Sequence, residues 1–592
     1  MTGFSNIDFE IAGGTGDDIR DALESDDYEL LFHKLGPTAV PDSVVAIQDT
    51  AVFVPVLDND LPSGDVEVIG FSDPANGNAT VNANGQIEYT PTSGFLGTDA
   101  FDYTIALKST ELTNAEITGG DRYGYSVDVD GDLAVVGAYL DDPNDVTNAG
   151  SVSLYRRDGI SWQFLTLLTG DAIPQSQFGW SVAVSGDTVV VGAQRDSDNG
   201  FHSGAAYVFQ DVDGEWTQVR KLAGSDTVNR DLFGRSVDID RDTIVVGAST
   251  ADPLGASSGA ANVYNRDEGG QDNWGQIKKL TGSTQGAGDR FGQSVAIDNA
   301  TIVVGAFRND DQGIDSGAVY VFKRNRFGAE NWGELKVITA SDASAGDRFG
   351  ASVAVDGTTV VVGSPQDDTG GVNQLGSVYV LSQNEGGSNN WGQVAKLLAT
   401  DGNAGDRLGL SVAFDGSRIV AGSPLADGGG DASGRGYLFE LTNGSWTQTR
   451  VLGSSEVTTA DQYGIAVAVD GDVAVIGSWL DNRPSNNSGG AYAFDLQTDT
   501  ATVTVTVTVN PGSSELPLIE DSPAMMNIAS EAALPNVMHE NQDADQAVWQ
   551  ARVWARDRVF AQSMETDDEN EDERYLDDIA DDRLGHAFSA SL

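Results

Sequence analysis

The sequence predicts an all-β protein built around a seven-bladed β-propeller. A pair formed by an aromatic residue or Leu followed by Gly recurs seven times, at spacings of 55 to 59 residues. Short runs of β-branched residues follow each pair, and Gly-rich turns separate the runs. Repeats of this length are typical of folds in which one small unit stacks on the next. The seven pairs are Tyr123-Gly124, Phe178-Gly179, Phe233-Gly234, Phe291-Gly292, Phe349-Gly350, Leu408-Gly409 and Tyr463-Gly464.

Each copy contains the pattern of four short strands. The first strand ends in an Asp-Gly or Gly-Asp turn, as in SVAVDGT, which predicts a tight hairpin. The second strand, TVVVGA or TIVVGA, is almost continuously apolar, as expected when both faces of a strand are covered. A third strand, such as SGAVYVF, and a fourth, such as WGQIKKL, complete the unit. Because a sheet with two buried faces needs a neighbour on each side, the stack is predicted to close into a propeller.

A Trp begins the fourth strand in six of the seven intervals. Trp rings can stack on sugars, but a fixed place in the repeat favours packing within the repeat itself. The six residues are Trp162, Trp216, Trp274, Trp332, Trp391 and Trp446.

These units resemble FG-GAP repeats, the blades of the integrin-α type of propeller, over about residues 106–497. The resemblance implies seven blades, which is the number of copies found. The spacing of the other copies places the start of a further outer strand at Ala106, whereas no Trp strand follows Phe494. We therefore expect residues 106–118 to form the outer strand of the blade made by residues 463–496. This pairing would close the ring and leave no exposed edge.

The segments on either side of the propeller resemble one bacterial Ig-like, cadherin-like domain. Residues 38–105 contain VLDND, NGQIEYTP and GFLGTDAFDYTI, which are rich in strand and turn signals. The final strand of that family, here DTATVTVTVTV, follows the propeller instead. The sequence thus predicts a split sandwich, residues 38–105 plus 498–510, into whose last hairpin the propeller is inserted. Insertions of this kind are tolerated where the two ends of the insert lie close together.

Both ends of the chain are acidic. Residues 1–37 are predicted to be a short acidic helical segment, with the helix at residues 17–35. Residues 511–592 are predicted to be a partly helical or disordered acidic tail, with a helix at residues 541–562. The start of the sequence lacks a basic region followed by an apolar stretch, so no signal peptide is expected. No run of 18 apolar residues predicts a membrane span.

The composition excludes several functional classes. The chain of 592 residues has 90 acidic and 33 basic residues, for a formal net charge of −57. Such a charge repels phosphate backbones and anionic lipid, which disfavours binding to nucleic acid or membrane surfaces. The absence of Cys removes disulfides, thiol catalysis and Cys-ligated metals. Only four His occur, far apart in the sequence, which disfavours a multi-His metal centre.

Calcium is the cofactor that the resemblance to integrin-type blades suggests, because such blades often carry a D-x-D-x-D-G loop between their first two strands. The corresponding segment here, VDVDGDLAV, is short, and the fixed 13-residue interval from the first Gly to the next leaves no room for a longer ion-binding loop. We therefore interpret Asp128, Asp130 and Asp132 as turn residues, with calcium ligation as the weaker alternative. No cofactor is predicted.

The loops that follow each Gly-Ala or Gly-Ser pair are acidic and vary between copies. They are predicted to share one face with the segments that precede the aromatic-Gly pairs. Variable loops on a rigid framework are common recognition sites, although solvated acidic turns would have the same composition. The candidate ligand-binding residues are Asp141, Asp142, Asp145, Arg195, Asp196, Asp198, Asp310, Asp311, Asp367 and Asp368.

The function predicted from these patterns is that of a non-enzymatic binding or adhesion module of a surface or exported protein. It would recognise a protein or glycan through the loop face of the propeller. A propeller-based enzyme acting on glycans is an alternative, since many Asp residues are present. A purely structural extracellular spacer is another. The oligomeric state stays open.

Overall fold

The computed structural model consists almost entirely of β-structure, which confirms the predicted fold class. Its described part contains 35 strands and two three-residue 3-10 helices, Pro143–Asp145 and Thr369–Gly371, and no α-helix. The helices predicted at residues 17–35 and 541–562 lie outside the described residues. The structure describes residues 38–511 except 61–65, 82–85, 160, 327, 329–330, 429, 455–456, 484 and 497–500.

An Ig-like sandwich is formed by two sheets, of strand order β1-β35-β6-β3 and β2-β5-β4. Its last strand comes from beyond the propeller and pairs antiparallel with β6 and parallel with β1. Alternate side chains of this strand, among them Val505 and Val507, are fully buried against Tyr89 and Tyr103 in the sandwich core. The strands are β1 (Asp42–Ile47), β2 (Val52–Val54), β3 (Val66–Phe71), β4 (Gly77–Val81), β5 (Ile87–Pro91), β6 (Gly97–Leu107) and β35 (Ala501–Asn510).

Seven four-stranded antiparallel sheets form the blades of the propeller. In blade 1 the strands are β8 (Tyr123–Asp130), β9 (Leu133–Ala138), β10 (Ser151–Asp158) and β11 (Ser161–Leu168); in blade 2, β12 (Phe178–Ser185), β13 (Thr188–Ala193), β14 (Ala205–Val212) and β15 (Glu215–Leu222); in blade 3, β16 (Phe233–Asp240), β17 (Thr243–Ala248), β18 (Ala260–Asn265) and β19 (Gly275–Leu280); in blade 4, β20 (Ser294–Asp298), β21 (Thr301–Ala306), β22 (Ala318–Lys323) and β23 (Gly333–Ile338). In blade 5 they are β24 (Ser352–Asp356), β25 (Thr359–Ser364), β26 (Ser377–Ser382) and β27 (Gly392–Leu397); in blade 6, β28 (Ser411–Phe414), β29 (Arg418–Ser423), β30 (Arg435–Thr442) and β31 (Ser445–Leu452); in blade 7, β32 (Tyr463–Asp470), β33 (Val473–Ser478), β34 (Gly490–Asp495) and the early strand β7 (Thr110–Glu111).

The ring closes through β7, which pairs with β34 as the outer strand of blade 7. The backbone N–H of Leu112 adds a hydrogen bond to the carbonyl oxygen of Ala491 at 2.8 Å, and the Leu112 side chain is buried. The predicted closure is confirmed, but the strand is much shorter than residues 106–118. The reason is that Ala106 and Leu107 still belong to β6 of the sandwich.

Neighbouring blades touch through glycine and serine. The recurring pair that ends in Gly lies at or just before the start of the first strand of each blade. The carbonyl oxygen of this Gly points at the second-strand Gly of the preceding blade, as that of Gly350 does at Gly305. The hydroxyl of Ser294 donates to the same Gly350 oxygen at 3.0 Å. Equivalent Ser–Gly hydrogen bonds occur in blades 1, 2, 3 and 5. A side chain at the second-strand Gly would prevent this close approach.

Apolar residues fill the spaces between blades. The clusters of buried side chains each combine residues of two neighbouring blades, so Phe349 of blade 5 lies with Val303 and Val319 of blade 4. Trp274, Trp332 and Trp391 are fully buried in such clusters. Trp216 and Trp446 are half-buried against others, and Trp162 is half-buried as well. Packing within the repeat therefore accounts for these Trp residues.

Candidate ligand-binding face of the propeller

The direction of the strands gives the propeller two different faces. We call the first the loop face: it carries the loop between the second and third strands of each blade and the segment that precedes each first strand. We call the opposite one the turn face: it carries the turns between first and second strands and those between third and fourth. The loop of one blade touches the next blade at or just before the start of its first strand. Gly204 of blade 2 forms a β-bridge with Phe233 of blade 3, and Gly259 of blade 3 forms one with Phe291 of blade 4. Recognition loops on propellers are positioned in this way by a rigid framework.

An Asp fixes the segment that precedes the first strand in six blades. Its carboxylate accepts a hydrogen bond from the backbone N–H three residues earlier, as Asp347 does from Ser344 at 2.6 Å. Burial raises the pKa of Asp121 and of Asp347 to about 6, although the backbone hydrogen bond that each carboxylate accepts lowers its pKa. These carboxylates hold the loop face in shape. The six are Asp121, Asp231, Asp289, Asp347, Asp406 and Asp461.

Three of the predicted ligand-binding acids are buried inside their own blades. The Asp196 carboxylate accepts a hydrogen bond from the Tyr207 hydroxyl at 2.7 Å and lies 2.8 Å from the Lys221 ammonium. Asp367 is held in the same way by the Tyr379 hydroxyl at 2.8 Å and the Lys396 ammonium at 2.6 Å. Asp141, whose pKa burial raises, accepts from the hydroxyl of Ser151. The same position in blade 7 is Asp481, which pairs with Arg483.

Three more of the predicted acids tie their loops together from the surface. Asp142 accepts a hydrogen bond from the N–H of Asn148 at 2.6 Å, and Asp368 accepts one from Gln374 at 2.7 Å. Asp310 accepts from the N–H of Asp315 at 2.8 Å. These bonds are typical of Asx-type loop closure.

The remaining predicted residues differ in their surroundings. Asp198 is exposed and lies 2.5 Å from the Lys221 ammonium. Asp145 and Asp311 are exposed, and Arg195 is half-buried. The structure therefore brings the ten predicted residues to the loop face of blades 1, 2, 4 and 5, but does not gather them into one site.

A cluster of aromatic side chains from blades 7, 1 and 2, which sequence reasoning missed, does form one site. Tyr125 lies at its centre, with ring centroids 4.5 Å from Tyr139, 4.6 Å from Trp180 and 5.6 Å from Trp479. Tyr139 and Trp180 pack edge to face at 4.9 Å. Such tilted arrangements are the favoured geometry for aromatic pairs. We call these four residues the aromatic cluster. Tyr125 is half-buried, and the other three are buried.

Two arginines flank the aromatic cluster. The guanidinium of Arg122 lies 4.9 Å from the ring centre of Trp479, and that of Arg235 lies 4.8 Å from Trp180. Both distances are within the range of cation–π attraction. Burial lowers the pKa of Arg122, and its buried Nε and Nη1 atoms have no hydrogen-bond partner within the described part of the chain.

Amide side chains extend this polar border. Arg235 donates to the Gln194 amide oxygen at 3.0 Å, and Gln194 donates to Gln177 at 2.9 Å. The Trp479 indole N–H donates to Gln462 at 2.9 Å. Aromatic faces, cations and amides thus converge at the loop-face end of three neighbouring blades.

The signal for this cluster is present in the sequence at fixed positions of the repeat. Tyr125 and Trp180 directly follow the conserved Gly of their pairs, where blades 5 and 6 have Ala351 and Leu410. Tyr139 and Trp479 follow the Gly-Ala or Gly-Ser pair, where blades 5 and 6 have Pro365 and Pro424. A comparison of the copies at these two positions indicates the aromatic cluster. The acidity of the loops indicates a different set of residues, the ten predicted ligand-binding residues.

Two of the turn residues considered for calcium bond to backbone N–H groups. Asp128 accepts a hydrogen bond from the N–H of Val184 at 2.7 Å, and Asp130 accepts one from Gly186 at 2.6 Å. Both carboxylates therefore bond to the backbone of the next blade, while Asp132 is exposed. In the part of the chain that the structure describes, no three His, Asp or Glu side chains converge to hold a metal ion.

Fold and loop face together define a seven-bladed propeller protein that carries an Ig-like domain. The FG-GAP repeat model matches more than half of the chain, so the chain belongs to the FG-GAP repeat family. A bacterial Ig domain model matches residues 35–119. The FG-GAP matches cover residues 108–155, 163–209, 216–264, 274–322, 332–381, 391–439 and 446–494.

Other comparisons add little beyond the family. No curated protein matches the chain. A solved chain from "Crystal Structure of Mitotic Checkpoint Complex" is similar at 14% identity and a TM-score of 0.39, covering 65% of this chain and 92% of that one. Among the described residues, none forms a helix long and apolar enough to cross a membrane.

Proposed function

We propose that the protein is a non-enzymatic binding module of a surface or exported protein, and that its propeller recognises a protein or glycan through the loop face. FG-GAP repeats and bacterial Ig domains are typical of extracellular binding or framework modules, which supports this proposal. The observation that carries it is the aromatic cluster. In a repeat protein, a functional site is expected where the side chains of particular copies differ from those of the others.

The chemistry of the cluster suits recognition. Aromatic side chains supply large contact areas for little loss of conformational entropy, and Tyr, Trp and Arg dominate binding hot spots. Here Tyr125 is half-buried among three buried rings, with Arg122 beside Trp479 and the buried Arg235 beside Trp180. A ligand that contacts Tyr125 would therefore meet an aromatic centre that two cations support from behind.

The loop-face acids favour binding over catalysis. An acid–base mechanism needs carboxylates that converge on one substrate pocket. Asp196 and Asp367, the most buried of the candidates, are instead engaged with a Tyr hydroxyl and a Lys ammonium within single blades. We therefore propose a binding role without chemistry.

The test uses the full chain on a glycan array and on an array of extracellular matrix proteins. We expect wild type to bind members of one array, and Tyr125→Ala to weaken that binding at least tenfold. Phe164→Ala, which removes an exposed ring from the outer strand of blade 1, should bind as wild type does. Thermal unfolding would establish that both variants fold. Absence of binding on both arrays, or equal binding by the two variants, would contradict the proposal.

A further inference from the structure

Large apolar side chains are exposed at the loop tips of four consecutive blades. Ile314 of blade 4 is 74% exposed, and even the most covered tip residue, Val372 of blade 5, is 37% exposed. Phe201 and Leu254 occupy the loop tips of blades 2 and 3, and Val228 lies in the segment between these blades. We call these five residues the apolar arc. Exposed apolar side chains that recur on one face of consecutive blades favour an interaction surface, whereas single ones need no explanation.

The loops that carry the apolar arc are held by backbone hydrogen bonds across blades. The carbonyl oxygen of Phe201 accepts from the N–H of Arg230 at 2.8 Å, and that of Ile314 accepts from Gly346 at 2.9 Å. In blade 3, Ala256 accepts from Gly288 at 2.9 Å. The tips are thus fixed before any partner arrives, so binding costs little additional ordering of the backbone.

The arc is confined to one side of the ring. Phe201, Ile314 and Val372 each lie nine residues after the second-strand Gly of their blade. At the same place blades 6 and 7 have Asp431 and Asn486, and blade 1 has Val146, which is half-buried. If the exposed apolar residues were needed for folding, every blade would carry one. Their restriction to blades 2 to 5 therefore favours a role in binding a partner.

Acidic side chains border the arc in blades 3 to 5, whereas in blade 2 the Arg230 guanidinium lies 5.8 Å from the ring centre of Phe201. Asp252, Asp310, Asp311 and Asp368 are exposed in the same loops as Leu254, Ile314 and Val372. The loop segments 251–258, 309–316 and 366–375 contain no Lys or Arg. An acidic border of this kind attracts a positively charged partner and repels a negatively charged one.

We propose that the apolar arc is the docking surface for a protein partner that presents a basic segment with apolar side chains. The proposal rests on the proposed function and narrows its ligand to a protein. The partner's apolar groups would cover the exposed tips of blades 2 to 5, and its Lys or Arg residues would lie beside the surrounding carboxylates. Interfaces commonly combine such an apolar core with a charged rim.

The test measures the binding of fluorescently labelled 18-residue peptides to the full chain by anisotropy. The probe is an amphipathic Leu/Lys peptide, compared with a Ser/Lys peptide of equal charge and a Leu/Glu peptide. We expect the Leu/Lys peptide to bind at least tenfold more tightly than the other two, and less tightly at high salt. Equal affinity for the Leu/Lys and Ser/Lys peptides would overturn the proposal, since charge alone would then explain binding.

Matched variants separate the arc from general charge attraction. Leu254→Ser with Ile314→Ser should weaken binding of the Leu/Lys peptide at least tenfold. Val394→Ser with Leu441→Ser removes apolar groups that are comparably exposed in the strands of blades 5 and 6, and should change nothing. Both double variants keep the net charge. If the two variants bind alike, the arc is not the docking surface.

The array experiment distinguishes failure of this proposal from failure of the proposed function. An array ligand that requires Tyr125 but tolerates the Leu254→Ser, Ile314→Ser variant would overturn docking at the arc while supporting recognition at the loop face. A glycan with that behaviour would also overturn the narrowing to a protein. A protein ligand that loses at least tenfold in affinity with the arc variant would support both.

Discussion

The two faces of the propeller use the same abundant residue, Asp, in different ways. On the turn face, carboxylates of four blades bond to the backbone of the next blade, as Asp470 does to Gly131 at 2.7 Å and Asp240 to Asn299 at 2.8 Å. On the loop face, the acids bond within their own loop or blade. The turn face thus uses carboxylates for contacts between blades, whereas on the loop face backbone groups make the contacts between blades and the carboxylates act within one loop or blade. Backbone contacts do not depend on which side chains a loop carries, so the loops can differ in sequence, and the copies differ there.

The close contact between glycines of neighbouring blades gives the largest expected effect on stability. A methyl group on Gly305 would overlap the carbonyl oxygen of Gly350 in the next blade. We expect Gly305→Ala to destabilise the protein by about 3 kcal/mol or more, because backbone cannot move aside as a side chain can. Urea unfolding measures the change.

Gly357→Ala is the control for that substitution. Gly357 has a φ of +57°, and no atom lies within 4 Å of the position of an added methyl group. It should lose only the about 1 kcal/mol that a left-handed backbone costs a residue other than Gly. Equal losses in the two variants would show that blade contact is not what requires Gly at position 305.

Two adjacent acids of the loop face provide the next test. Asp367 is buried between Tyr379 and Lys396, whereas Asp368 is exposed and closes its loop on Gln374. We expect Asp367→Ala to cost about 2 to 3 kcal/mol, since it leaves buried polar groups without their acceptor. Asp368→Ala should cost about 0.5 kcal/mol. Denaturant unfolding of the two variants in parallel measures both changes, and a reversed order would contradict the assignment.

The same pair of residues shows what the sequence could and could not predict. The repeated Gly positions and the alternation of strand residues were enough to predict seven blades and their closure, because both follow from local pattern and spacing. The difference between Asp367 and Asp368 depends on Tyr379 and Lys396, which lie on later strands. The two acids are identical and adjacent in the sequence, so the local sequence cannot tell which one is buried and which one is exposed.

Closure of the ring brings the last member, Trp479, into the aromatic cluster. Tyr125 and Trp479 belong to the first and last blades, which become neighbours only when β7 completes blade 7. Each aromatic residue by itself is an ordinary repeat position. Their proximity is a property of the closed ring, and it needs the pairing of Tyr492 with Glu111 as well as the local sequence.

The inner strands add a pH-dependent difference between blades. Asp128 and Asp238 occupy a position where the other five blades have Ala, and burial raises their pKa values to about 8 and about 7. The folded state then binds more protons than the unfolded state between about pH 4 and 8, so stability falls as pH rises through that range. We expect the urea midpoint to increase when the pH is lowered from 8 to 5.

The double variant Asp128→Asn, Asp238→Asn isolates this effect from the high net charge. Each Asn keeps an oxygen that can accept the N–H of Val184 or Ile297, but does not titrate. Its urea midpoint should change less with pH than that of wild type. The variant Asp132→Asn, Asp142→Asn removes the same two charges from exposed positions and should keep the wild-type pH dependence. Identical slopes in the two variants would assign the dependence to net charge instead.

A small effect is expected at the turn face, where Asp carboxylates of blades 1, 3, 4 and 7 bond to the backbone of the next blade. Asp130→Ala and Asp298→Ala each remove the acceptor of an exposed backbone N–H, at Gly186 and Gly357 respectively. Each should cost about 1 kcal/mol. Because the two bonds join different pairs of blades, their costs should add to within about 0.5 kcal/mol in the double variant. Urea unfolding of the three variants measures this sum. A clear excess over the sum would mean that the two turn-face contacts, although they join different pairs of blades, are coupled.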